Sequence, residues 1–76
     1  MTWNHRVLAF ENKKEIHFQI HEVYYDKEGA PNGYTEKPIT VNGTNLNELE
    51  WVLEQMKICI GQPILWGGDR FPEEYK

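Results

Sequence analysis

The chain of 76 residues has a single cysteine, Cys59, and no serine. One thiol cannot close a disulfide within the chain, and a small domain in an oxidising compartment usually carries several, so the cytoplasm is the expected setting. Cys59 itself falls in an apolar stripe of helical spacing and reads as a small buried hydrophobe. Hydroxyl nucleophiles are confined to Thr2, Thr35, Thr40 and Thr44, none of them in a nucleophile-and-base pattern. Long apolar runs are missing too. The opening MTWNHRVLAFENKK lacks the continuous stretch of a signal peptide, and no run is long enough to span a bilayer, so a membrane role is not expected. Positive charge is sparse: eight Lys and Arg against twelve Asp and Glu give a net charge of −4, and the densest basic cluster is the pair Lys13-Lys14. Such a chain repels phosphate backbones, which argues against nucleic acid as a partner.

Aromatic residues are present in quantity: three Trp, four Tyr and three Phe in a chain that is 39% apolar, too much burial material for a disordered segment. Residues 1–76 are expected to form one domain. At this length only about 60% of the unfolded chain's surface can be buried, so the core is small.

Residues 3–10 alternate loosely between apolar and polar, and Ile16, Phe18 and Ile20 repeat at period two after the polar stretch Glu11-Asn12-Lys13-Lys14. This predicts a hairpin of strands over about 3–10 and 15–25. Glu22 breaks the phase and Val23 and Tyr25 fall on the other face, which predicts a bulge or strong twist near His21-Glu22. A turn at Asn12-Lys13 sets Glu11 opposite Lys14, Ala9 opposite Ile16, Val7 opposite Phe18 and His5 opposite Ile20. A slip by one residue would set Glu11 against Glu15, a like-charge pair, and is disfavoured. The stretch DKEGAPNG is dense in turn formers, and a third strand is expected over about 34–41, at an edge because it contains Pro38.

Asn45 followed by Glu48 forms the start of a helix over about 46–60, stopped by Gly61 and Pro63. Leu46, Leu49, Val52, Leu53, Met56, Cys59 and Ile60 fall within an arc of roughly 140°. Trp51 and Ile58 lie outside it as a second apolar stripe, to be covered either by the tail, residues 61–76, or by a partner chain. The expected fold class is a two-layer α+β domain, a three-stranded antiparallel sheet in β-β-β-α order packed by one amphipathic helix, with an irregular C-terminal tail.

His17, His21, Glu22 and Asp26 invite a metal-site reading. A zinc pair spaced four residues apart needs a helix, however, and this stretch alternates like a strand, placing the two imidazoles about 13 to 14 Å apart. His5 and His21 remain as candidate ligands, but in the preferred register His5 points away from both other histidines. Trp66-Gly67-Gly68-Asp69 lacks the second spacing of a dinucleotide loop and reads as a bend, and Glu73-Glu74 as a solvated terminal run. No cofactor is expected.

Trp3-Asn4-His5-Arg6-Val7, His21-Glu22-Val23-Tyr24-Tyr25-Asp26, Gly33-Tyr34-Thr35-Glu36-Lys37-Pro38 and Phe71-Pro72-Glu73-Glu74 together span nearly the whole chain. In these elements it resembles a family of small bacterial proteins of unassigned function, a resemblance that implies no activity. More distantly, the strand-strand-strand-helix order looks like the partial double-stranded-RNA-binding-like fold of HicB-type antitoxins, an analogy of fold alone. The DNA-binding segment that many of those antitoxins append has no counterpart here, so repressor activity is not implied.

The expectation is thus a non-catalytic protein-interaction or regulatory module rather than an enzyme, binding a protein partner or a second copy of itself. Trp51, Ile58, Tyr24 and Trp66 are the candidate interaction surface. The alternative is a small-ligand or metal-dependent enzyme centred on Arg6, His21, Glu22 and Tyr24, which requires those groups to converge in a pocket.

Overall fold

A computed structural model describes residues 2–76. Two long strands, β1 (Trp3–Asn12) and β2 (Glu15–Tyr25), form the hairpin, followed by β3 (Pro31–Tyr34), α1 (Leu46–Ile60), β4 (Leu65–Trp66) and a 3-10 turn at Gly68–Arg70. The sheet order is β3-β2-β1-β4. β1 and β3 run antiparallel to β2, whereas β4 runs parallel to β1. The fold is α+β as expected, but its sheet is mixed and four-stranded rather than antiparallel and three-stranded. The added strand comes from the tail. Leu65 aligns with Leu8 and Trp66 with Ala9, and the chain then returns so that Glu74 bridges back to Leu65.

The hairpin turn is Lys13-Lys14, not Asn12-Lys13. Both lysines have positive φ, 52° and 74°, the conformation of a two-residue turn whose twist matches the strands it joins. The register accordingly sets Asn12 against Glu15, Ala9 against Phe18, Val7 against Ile20 and His5 against Glu22. This differs from the expected register by two residues, and an even shift leaves every side chain on its expected face. The gain over the expected register is length, because the ladder now reaches Trp3 opposite Tyr24.

No bulge interrupts the β1–β2 ladder at His21-Glu22; the irregularity lies between Tyr24 and Tyr25, in the pairing with β3. The phase slip in the sequence has another cause. Ile16, Phe18 and Ile20 line the face that α1 covers, while His21, Val23 and Tyr25 line the opposite face, where Leu8, Val23 and Leu65 form a core joined by Phe10, Tyr25, Tyr34 and Phe71. The third strand ends at Tyr34 instead of spanning 34–41. Beyond it Thr35 turns to bond the Lys37 carbonyl through its hydroxyl, and Pro38 has no N–H to donate. Only Thr35 N–H to Glu22 and Ile39 N–H to Ile20 continue the edge.

The helix begins as its sequence dictates. Asn45 accepts from the Glu48 N–H at 2.9 Å, and the Glu48 carboxylate reaches back to the Thr44 N–H at 2.9 Å, which holds its pKa below the ordinary value. Gly61 closes the other end with its N–H on the last-turn carbonyls. Helix orientation departs from expectation. Met56 and Cys59 are buried and Leu49, Val52 and Gln55 half-buried, whereas Leu46, Leu53 and Ile60 are exposed. The helix is thus rolled toward the Trp51 side of the predicted arc, and it rests chiefly on β1 rather than squarely across the sheet.

Candidate functional site

The roll opens a cleft on each flank of the buried stripe. On one flank Trp51, Gln55 and Ile58 of α1 face Trp3 and His5 of β1 around a cavity of about 380 Å³. Trp51 remains 58% exposed and Ile58 59%. Trp3 and His5 stack edge to face with ring centroids 5.5 Å apart, so the strand wall of this cleft is aromatic. On the other flank Ile60 and Ile64 meet Val7, Phe18 and Ile20 around an apolar groove of about 340 Å³.

The tail does not cover Trp51 or Ile58. It is held elsewhere by Leu65 in the core and by Tyr75, whose ring lies 5.1 Å from Trp66 and 5.4 Å from Phe18. Phe18, Ala9 and Trp66 stand side by side across three strands, with Ala9 small enough for Tyr75 to touch both neighbours. Of the candidate surface residues, Trp51 and Ile58 therefore share one cleft, and Tyr24 stands directly across the ladder from its Trp3 wall. Trp66 is separate. It lines a shallow depression with Phe10 and Gly67, and the Arg70 guanidinium sits 4.3 Å from its ring centroid.

The groups of the enzymatic alternative do not converge. Arg6 and His21 are opposite one another on the core face, while Glu22 and Tyr24 occupy the face bearing α1. His21 is 1% exposed among Phe10 and Tyr34, with ring centroids at 5.4 and 5.3 Å. Its Nδ1 lies 2.9 Å from the Thr35 carbonyl, an acceptor, so this nitrogen carries the proton. Nε2 is 3.1 Å from the Gln19 side-chain amide, which serves the neutral ring when its NH2 group is turned toward it. Burial lowers the His21 pKa below its ordinary value, with the bond to Thr35 opposing in part. His21 is thus a buried core residue whose neutral form burial favours.

Arg6 donates to the Tyr25 hydroxyl at 2.8 Å and to the Pro63 carbonyl at 2.7 Å, and Tyr25 passes the chain on to Asn4 at 2.7 Å. These bonds tie β1 to β2 and to the segment leaving α1. The Tyr24 hydroxyl donates to Glu22 at 3.2 Å, and desolvation together with that carboxylate raises its pKa, so it stays a phenol. The Cys59 thiol donates to the Met56 carbonyl at 2.9 Å, and burial pushes its pKa up, which keeps it from acting as a nucleophile.

His5 and His21 project from opposite faces of the sheet and cannot share an ion. Among the described residues no group of three or more His, Cys, Asp or Glu is placed to hold a metal, and no helix is long and apolar enough to cross a membrane. Trp3 and His5, which complete the cleft, are not singled out as interaction residues by the sequence. The only sequence signal was the unmatched Trp51/Ile58 stripe, which says that something must face the helix there but not what. In comparisons with known proteins, no family model, curated protein or solved structure matches the chain.

Proposed function

We propose that the protein is a non-catalytic interaction module that binds a protein partner through the cleft between Trp3, His5, Trp51 and Ile58. The observation that carries this reading is the exposure of Trp51 and Ile58 at 58% and 59%, in a concave site whose opposite wall is also aromatic. Tryptophan supplies large contact area for little ordering entropy and dominates binding energy where it is found at interfaces. The partner chemistry that fits is an apolar anchor on a neutral or basic surface, given the net charge of −4. The lone thiol, buried and unpaired at Cys59, supports a reducing compartment, and we assign the protein to the cytoplasm.

Substituting Trp51→Glu tests the reading. The side chain is exposed, so the fold is expected to survive, as circular dichroism and the thermal midpoint would report. A partner captured from native lysate by the wild type is expected to be lost with Trp51→Glu and retained with Lys27→Glu, which changes charge outside the cleft. Identical capture by both variants would remove the cleft from the function.

A further inference from the structure

A second surface is available for pairing at the outer edge of β2. The bonds from Thr35 N–H to the Glu22 carbonyl and from Ile39 N–H to the Ile20 carbonyl show that even-numbered residues of β2 direct their backbone groups away from β1. Ile16 and Phe18 share that phase, since Asn12 and Glu15 close the hairpin as its bonded pair. β3 pairs only with Val23, Tyr24 and Tyr25, so along residues 15–19 this edge has no neighbouring strand among the described residues. The side chains at this edge are apolar and open on the helix-bearing face, with Phe18 53% and Ile16 40% exposed. A bare edge with apolar side chains is a template for another strand.

We propose that the edge Glu15–Gln19 pairs antiparallel with the same edge of a second copy of this chain, Ile16 opposite Phe18, about a two-fold axis at His17. This rests on the reading of the protein as an interaction module, but at a different surface from the Trp51 cleft. The second copy is favoured because the stretch complements itself in both its apolar and its charged side chains. The unpaired stretch is centred on His17, and in this register every outward N–H and C=O of Ile16 and Phe18 finds a partner on the other copy. Shifting the centre to Phe18 would set Ile16 against Ile20, whose carbonyl already accepts from Ile39. Shifting it to Ile16 would set Phe18 against the turn residue Lys14, which has φ 74°. In the chosen register Ile16 meets Phe18 on the apolar face. On the other face Glu15 meets the uncharged Gln19 and lies diagonal to His17, so no two carboxylates oppose one another. The two-fold axis keeps both helices on one side of the joined sheet, extending each apolar groove of Val7, Phe18, Ile20, Ile60 and Ile64 across the join.

Five residues of strand span only about 17 Å, so the interface is at the small end of the range, below about 1,200 Å² in total, and the dimer exchanges rapidly. The test uses the intact protein. Sedimentation velocity up to about 1 mM is expected to show reversible dimerisation, and the amides of Ile16 and Phe18 are expected to gain hydrogen-exchange protection as concentration rises. A mixed sample of labelled and unlabelled chains should give an intermolecular contact between Glu15 and Gln19. Ile16→Pro removes an outward donor without touching the ladder to β1, and should weaken the dimer by about tenfold or more. Trp51→Glu should leave it unchanged. If Ile16→Pro does not fold, the exchange and contact measurements on the wild type decide by themselves. A chain that stays monomeric over this range overturns the proposal while leaving the Trp51 cleft untouched. So does a dimer that Trp51→Glu abolishes while the Ile16 and Phe18 amides exchange freely, or an edge that is protected only when a foreign peptide is added.

Discussion

The two faces of the hairpin are closed to different degrees. On the core face Leu8, Val23 and Leu65 are sealed by Phe10, Tyr34 and Phe71, and His21 has both ring nitrogens in hydrogen-bonding contact. Loops close this face: the Gly68 N–H donates to the Tyr34 hydroxyl at 2.7 Å, and Phe71 packs on Tyr34 with ring centroids 4.8 Å apart. On the opposite face a single helix lies over β1, and Phe18, Leu53, Trp51, Ile58 and Ile60 all remain exposed. The comparison separates two uses of apolar residues in one small chain. Both faces contribute buried residues, Leu8, Val23 and Leu65 on one and Val7, Ala9, Met56 and Cys59 on the other, but surface for binding is left where a helix covers only half of its sheet.

The largest expected contrast follows directly. Leu8→Ala empties a fully buried site in the small core and is expected to cost about 2 to 5 kcal/mol, enough to unfold much of a domain of this size. Chemical denaturation monitored by tryptophan fluorescence would measure it. A cost below about 1 kcal/mol would mean that Leu8 is not held in a close-packed core.

Gly67→Ala probes the same face from the tail. A Cβ at Gly67 would lie 2.3 to 2.4 Å from the nearest ring carbons of Phe10, and that ring is wedged against His21 and Tyr34 rather than free to swing. The expected loss is about 1 to 3 kcal/mol, read from the shift in denaturation midpoint. Gly68→Ala meets no neighbouring atom but must adopt φ 70°, so its cost is one of backbone conformation alone.

The buried histidine gives the core face a pH dependence. Burial lowers the His21 pKa in the folded state, so as pH falls the unfolded chain takes up a proton first. Stability from this group is complete above the ordinary imidazole pKa of about 6.5 and declines as pH falls below it toward the lower folded-state value, by at most about 1.4 kcal/mol per pH unit. Thermal midpoints between neutral pH and pH 5 should show this decline in the wild type, and His21→Gln should flatten that part of the profile whatever its own stability. A profile unchanged by the substitution would assign the acid sensitivity to other groups.

Local chemistry made much of this architecture legible. Asn45, Glu48 and Gly61 fix the ends of α1 because capping needs only neighbouring residues, and the alternation of β1 and β2 fixes the faces because an even error of register preserves them. The turn itself was not legible. Two lysines at positive φ run against their own preference and are held there by a ladder that extends to Trp3 and Tyr24, a non-local gain. β4 is two residues long, too short for any period to show, and its parallel alignment depends on where α1 delivers the chain. The candidate site divides in the same way. Trp51 and Ile58 stand out because they violate the helical pattern around them, whereas Trp3 and His5 join them only through tertiary placement.

The smallest expected effect belongs to the open face, and it sharpens the comparison most. Ile60 lies in the apolar arc that the sequence assigns to the core, yet it is 66% exposed. If the helix were seated by the full arc, Ile60→Lys would bury a charge and cost several kcal/mol. With the helix rolled onto Leu49, Val52, Met56 and Cys59, the same change puts a lysine head into water at the rim of a groove and should alter stability by less than about 0.5 kcal/mol. Met56→Lys, on the stripe that rests against β1, should instead be strongly destabilising, since Met56 is 8% exposed. The ratio of these two effects measures how the helix is rolled. Near equality would mean that Ile60 is covered in solution, and a concentration dependence of the Ile60→Lys effect would identify that cover as a second copy of the chain, as expected if the groove shared by Ile60 and Phe18 is extended across joined β2 edges.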